Sequence, residues 1–384
     1  MATTSNQPTN DPTPVPPLNL VAQFAGLHDE LLAELTEVAT SGYYVLGPKV
    51  TGFEEDLARY CGTKHALGVS SGTDALLASL MALDIGPGDE VIVPTFTFFG
   101  TAGVVARLNA KPVFCDILAD TYNMDPAHLA KLITPKTKAI MPVHLYGQLA
   151  DMDAINKVAA EHKLPVIEDA AQAVGAHDAA GRKAGSLSLF GCLSFYPTKN
   201  LGAMGDAGAL LTNDDEMLEK TRKLRIHGSG HTYYHDFVGG NFRIDALQAA
   251  VLAIKLRHLE AWTETRRARA HRYTELITEA GLAPEMVRPP AEINGRHVYH
   301  QYVLRARKRD DLAAFLRERK IGAGVYYPLS LHLQKCFAHL GGKEGDLPVA
   351  EQASMEVLAL PIYPELADEQ QQAVVGAIAA FYEK

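Results

Sequence analysis

From residue 65 onward, short apolar runs of strand type alternate with amphipathic helical stretches. ALGV (66–69) precedes a helix from Gly72, EVIVP (90–94) one from Phe99, and PVFCDI (112–117) one near Asp125. KAIMPVH (138–144) precedes a helix from Asp151, and LPVIED (164–169) follows it. Strands separated by helices need crossover connections, so the rhythm predicts an α/β fold: a mostly parallel central sheet with helices on both faces. SLFGCLSFY (188–196) and AGALLTN (207–213) add two strands, and helices are expected from Asp214 and from Arg243 to about His258. The pattern then changes. The charged stretch 256–281 reads as a linker helix, followed by strand VYHQYVLRAR, helix DDLAAFLRERK, strand GAGVYY and terminal helices. The expected division is a disordered leader (1–18), a large α/β domain (19–257) and a smaller α+β C-terminal domain (258–384).

Composition narrows the function. The leader MATTSNQPTNDPTPVPP has neither a basic start nor an apolar core, so it is not a secretory signal. No apolar run approaches the roughly 20 residues of a membrane span. With 45 acidic and 36 basic residues, the net charge of −9 argues against a nucleic-acid surface. The four cysteines form no C-x-x-C pair, which fits a reducing cytoplasm.

Three features fall at expected strand ends, where open α/β sheets bind ligands. Ser71, Gly72 and Thr73 open a helix, as an ordinary N-cap or as a phosphate seat. Asp169 ends an apolar strand, either capping the next segment or pairing with a cation or ring N–H. Lys199 lies between Thr198 and Asn200 in a strand–turn–strand, as a surface charge or as a buried nucleophile towards aldehydes. Together they are the parts that hold pyridoxal 5′-phosphate: a phosphate cradle, an anion for the pyridine nitrogen and an amine.

The motifs SSGTDAL, PGDEVIVPTFTF, NMDP, MPVHLYGQLADMDAI, PVIEDAAQAVGA, SFYPTKNLG, GDAGAL and NFRIDALQAA occur in that order. In them the chain resembles the DegT/DnrJ/EryC1/StrS sugar aminotransferases, from about Asn19 to the C-terminus. The resemblance implies the aspartate-aminotransferase type of fold and a pyridoxal-phosphate cofactor that cycles through pyridoxamine phosphate. It implies Lys199 as covalent anchor and general base, Asp169 at the pyridinium nitrogen, and Gln172 near the ring hydroxyl. It further implies Phe98 on the ring face, phosphate contacts from Gly72, Thr73 and Ser194, and Asn241 reaching the phosphate of a neighbouring subunit in a homodimer. Tyr234 and His235, in a loop that the family projects towards the partner's active site, and Tyr326 and His332, in a loop with Tyr327 that the family places near the sugar nucleotide, are candidate substrate contacts on the same grounds. The implied substrate is a nucleotide-linked keto-sugar, most similar to those of the 3-keto members, with L-glutamate as amino donor. The 4-keto-sugar and cyclitol aminotransferases, and a non-catalytic regulator retaining the fold, are the alternatives.

Two further readings limit the chemistry. His227, His231 and His235 recur every four residues, but Gly228 and Gly230 break the helix that would align them, so no metal site is expected. A uronic-acid substrate would call for an arginine fork. The loop between Arg225 and Arg243 contains no arginine, which favours a neutral sugar.

Overall fold

The computed structural model describes residues 14–383. Seven strands build the large sheet: β1 His65–Val69, β2 Glu90–Pro94, β3 Lys111–Cys115, β4 Thr137–Ile140, β5 Ile167–Asp169, β6 Phe190–Ser194 and β7 Gly208–Thr212. Ladders run β3-β2-β4 and β1-β7-β6-β5. Parallel bridges Ile140–Val166 and Val143–Asp169 join the two. The order is therefore β3-β2-β4-β5-β6-β7-β1. Only β7 is reversed, antiparallel to both β6 and β1. The chain between β6 and β7 forms a turn without a crossover helix, and a short direct connection returns the strand antiparallel. That turn carries Lys199, at the same sheet edge as the carboxyl ends of β1, β2, β5 and β6.

The helix Gly72–Ala82 buries apolar residues almost all round, including Leu76, Leu77 and Leu80. Its burial against the sheet fixes the direction of its N-terminus, which points to the same edge. A surface hairpin, β8 Ser229–His231 with β9 Tyr234–His235, follows the helix Asp215–Leu224.

The two helices expected around residues 243–281 are one 34-residue helix, Ala246–Glu279. AIKLRH (253–258) contains no Gly or Pro to break it. Its first half packs Ala249, Ala250 and Leu252 into the large core. Its last turns pack Tyr273, Leu276 and Ile277 against the small lobe. The expected boundary at 257/258 thus falls inside a continuous helix.

The small lobe is an antiparallel sheet, β10 Val287–Arg288, β11 Tyr302–Ala306 and β12 Val357–Leu360. GAGVYY, expected as a strand, makes only a bridge from Gly324 to Ala359. The chain folds back there: a Cβ on Gly324 would lie 2.7 Å from the Tyr326 ring. VLAL (357–360) takes the third place in the sheet instead. The expected leader lies mostly outside the described residues. Within it, Val15 is buried and bridges Ile321. Among the described residues no helix is long and apolar enough to cross a membrane.

Candidate active site

The strand ends enclose a cavity of about 590 Å³. Gly72, Thr73, Phe98, Asp169, Gln172, Ser194, Lys199 and Tyr326 all line it. Five chain segments far apart in sequence supply these residues, and the topology alone brings them together.

The Ser71 hydroxyl caps the helix by accepting from Asp74 N–H at 3.0 Å. The first helical hydrogen bond is Ala75 N–H to the Ser71 carbonyl, so the amides of Gly72 and Thr73 precede the ladder and are left for an anion. Space is tight behind them. A Cβ on Gly72 would lie 2.6 Å from Ser194 Cβ, and one on Gly208 would lie 2.4 Å from Ser71 carbonyl carbon. Only glycine lets β6, β7 and this helix start close together.

Asp169 is 5% exposed. Thr101 Oγ1 donates to its Oδ2 at 2.7 Å, and Ala171 N–H to its Oδ1 at 3.2 Å. Burial raises its pKa; these two donors and then the Lys199 charge oppose the rise. Lys199 is partly accessible yet enclosed by protein, and desolvation brings its ammonium from 10.5 down to about 8, opposed by Asp169. A lysine near 8 holds a fraction of free amine at neutral pH, as a nucleophile or proton carrier needs. The turn that presents it is closed by Lys199 N–H to Tyr196 O at 2.8 Å and Ala203 N–H to Phe195 O at 2.8 Å.

Gln172 is committed on both sides. Its Oε1 accepts from Tyr146 N–H at 2.7 Å, and its Nε2 donates to the Tyr327 hydroxyl at 3.2 Å. One Nε2 proton remains for a ring oxygen. Phe98 is 57% exposed, a flat apolar wall at the cavity. The residues present therefore fit a phosphorylated pyridine aldehyde: anion cradle, ring wall, carboxylate and amine line one space.

Four expected residues lie outside this cavity, three of them (Asn241, Tyr234 and His235) expected to act at a neighbouring subunit's site rather than at this one. Asn241 is exposed and lines a neighbouring hollow with Ser70, Asp206 and Arg243. Tyr234 and His235 stand on the exposed hairpin, where His235 Nδ1 meets the His227 carbonyl at 3.0 Å. His332 is buried between Thr95 Oγ1 at 2.8 Å and Glu351 Oε1 at 3.1 Å, tying the chain beyond GAGVYY to the end of β2. Its ring nitrogens are occupied by these partners, away from the cavity.

Other residues belong to the site. Thr101 sits one helical turn after PTFTF, a spacing that points it back at the strand end. Tyr327 lines the cavity beside Tyr326. His300 and Gln301 line it from the segment before β11, about 100 residues from Lys199. Burial, and then the Lys199 charge, push the His300 imidazole well below its ordinary value. Its Nδ1 faces Asn200 Oδ1 at 3.4 Å, and Asn200 Nδ2 donates to the Val298 carbonyl at 3.0 Å.

Known proteins match this chain over nearly all of its length. A Geobacillus stearothermophilus protein named pleiotropic regulatory protein is 53% identical over 369 residues, 96% of this chain and 98% of its own. An Acidithiobacillus ferrooxidans protein named UDP-N-acetyl-3-dehydro-alpha-D-glucosamine 3-aminotransferase is 44% identical over 358 residues, 93% of this chain and 95% of its own. The crystal structure of S. venezuelae DesV superposes with a TM-score of 0.93 at 43% identity, covering 97% of this chain and 99% of that one. Residues 26–379 match the family profile, and the chain belongs to the DegT/DnrJ/EryC1/StrS aminotransferase family.

Proposed function

We propose that this chain is a cytoplasmic, homodimeric, pyridoxal-phosphate-dependent aminotransferase that moves an amino group from L-glutamate to C3 of a nucleotide-linked keto-sugar. The observation that carries the reading is the convergence of Lys199, Asp169 and the Gly72–Thr73 amides on one cavity. Bound pyridoxal phosphate supplies an aldehyde for the incoming amine and a ring that takes up electron density. The protein supplies the rest. Gly72, Thr73 and Ser194 would hold the phosphate. Phe98 would cover a ring face, and the free Nε2 proton of Gln172 would be available to the ring hydroxyl. The Asp169 carboxylate would keep a proton on the ring nitrogen. Lys199, whose ammonium burial brings to about 8, would carry the proton between the two reacting carbons.

Several observations support the finer points. The 44% identical A. ferrooxidans relative is named a 3-aminotransferase. Tyr43, Tyr44 and Val45 are consecutive exposed apolar residues, as a surface covered by a second copy would present. The four cysteines are free, consistent with a reducing compartment.

The name of the G. stearothermophilus relative favours a second reading, a regulator that keeps the fold. The lysine, carboxylate and cradle are all retained, which a scaffold would not need. The deciding experiment runs the half-reaction in reverse. The protein loaded with pyridoxal phosphate is titrated with nucleotide-linked 3-amino sugars, 4-amino sugars and an aminocyclitol, and the cofactor absorption is followed as pyridoxamine phosphate forms. Conversion by a 3-amino sugar alone is expected. Conversion by a 4-amino sugar or cyclitol instead would overturn the C3 assignment. Inertness to all of them and to L-glutamate would put the regulator first.

A further inference from the structure

His144 and Glu168 form a buried pair that the chemistry above does not use. Both side chains are 0% exposed, and His144 Nε2 lies 2.8 Å from Glu168 Oε2. Ala150 N–H donates to His144 Nδ1 at 3.1 Å, so Nδ1 is an acceptor and the ring proton sits on Nε2, donating to Glu168. Glu168 accepts three more hydrogen bonds, from Gly185 N–H and Leu187 N–H at 2.7 Å and from Ser188 Oγ at 2.9 Å. Both carboxylate oxygens face N–H donors, and the Ser188 hydroxyl divides its one proton between Oε1 and the Phe190 carbonyl, each at 2.9 Å.

The position of this pair matters because of its neighbours. Glu168 and Asp169 are consecutive in β5, so their side chains leave opposite faces of the sheet. Asp169 turns to the cavity and Glu168 turns away. The main chain of Asp169 is gripped by the same segment: its N–H donates to Pro142 O at 2.9 Å, and its carbonyl accepts from His144 N–H at 3.0 Å. His144 therefore holds β5 twice, by its backbone at Asp169 and by its ring at Glu168. Through Ala150 the ring also closes the loop 144–150, whose Tyr146 N–H fixes Gln172 Oε1.

We propose that the His144–Glu168 pair is the positioning element of the site. From behind the sheet it sets both Asp169 and Gln172, and it requires the Nε2–H tautomer and an acceptor-only group at 168. The inference rests on the reading of Asp169 and Gln172 as cofactor-facing residues.

The test measures affinity for pyridoxal phosphate, by absorbance, in the parent, His144→Gln, His144→Met and Glu168→Gln, with the thermal midpoint of each cofactor-free protein alongside. Gln keeps a donor at the Nε2 position but gives Ala150 N–H no acceptor at the Nδ1 position, so H144Q is expected to bind more weakly than the parent and more tightly than the other two. H144M lacks the donor, and E168Q turns an amide N–H against other donors. Both are expected to bind about tenfold or more weakly while still folded. A folded H144M or E168Q with parental affinity overturns the proposal, as does H144Q binding no better than either. Should H144M and E168Q not fold, H144Q and the parent ring decide. Histidine-selective 15N spectra of the parent must assign His144 as the Nε2–H tautomer, and an Nδ1–H ring overturns the proposal. A parent chain that does not bind pyridoxal phosphate at all would instead sink the functional reading.

Discussion

Lys199 and Asp169 face the same cavity, and each shifts the charge of the other. Burial lowers the lysine to about 8 and Asp169 is the group that opposes it. Burial raises the carboxyl while Thr101, Ala171 and Lys199 hold it down. Replacing Asp169 by Asn keeps the volume and still accepts from Ala171 N–H, but removes the opposing charge. The Lys199 ammonium should then titrate below the parental value of about 8. Acylation of Lys199 in the cofactor-free chain, followed against pH by peptide mass, measures this. An unchanged midpoint in D169N would show that the two charges are not coupled.

Gly208→Ala tests the cradle from beneath. Its Cβ would lie 2.4 Å from the carbonyl carbon of Ser71 and 2.6 Å from Gly72 N. Backbone atoms cannot rotate out of the way, so the start of the helix Gly72–Ala82 must move. Overpacking of this kind costs about 1–3 kcal/mol. Urea unfolding should show that loss, and pyridoxal phosphate should bind more weakly because the free amides no longer converge. A variant normal in both would mean the close approach is not needed.

Much of this geometry was legible in the sequence, for a physical reason. Strand ends followed by helices set where a ligand sits, so Ser71–Thr73, Asp169 and Lys199 could be placed from local patterns. His300 and Gln301 could not, because their roles depend on side chains meeting across the sheet edge and the small lobe. His332 misled for the converse reason. A histidine in a loop beside two tyrosines looks available, but Thr95 and Glu351 occupy both its ring nitrogens. The 34-residue helix was divided because its charged half resembles a linker, while its lack of a Gly or Pro break was the better signal.

Phe98→Ala separates cofactor binding from stability. Phe98 is 57% exposed, so its removal should change stability by less than about 0.5 kcal/mol. As the wall of the cavity it should nonetheless contribute to holding an aromatic ring. Loss of such a contact corresponds to about three- to tenfold in affinity. An unchanged thermal midpoint with weaker pyridoxal phosphate binding is the expected pair of results. Equal affinity would remove Phe98 from the ring face.

Lys255 gives the sharpest pH prediction. It is 5% exposed on the long helix, and its Nζ donates to the Gly202 carbonyl at 2.7 Å, in the turn just beyond Lys199. Burial lowers it to about 8. In the unfolded chain a lysine keeps its proton to about 10.4. Below 8 both states are charged, and the full cost of burying the ammonium is present. Between about 8 and 10 the unfolded chain binds more protons, so the contribution of Lys255 to stability rises with pH. Lys255→Met has no such term. Lys199 and the buried cysteines titrate in both proteins and cancel in the difference. The stability of the parent minus that of K255M should therefore rise by about 1 kcal/mol per pH unit across that window, the limit for one full proton being about 1.4. Urea unfolding of both proteins at several pH values between 7.5 and 9.5 measures it. A flat difference would mean that the folded chain keeps Lys255 protonated throughout, and that its anchor on Gly202 is better solvated than its burial implies.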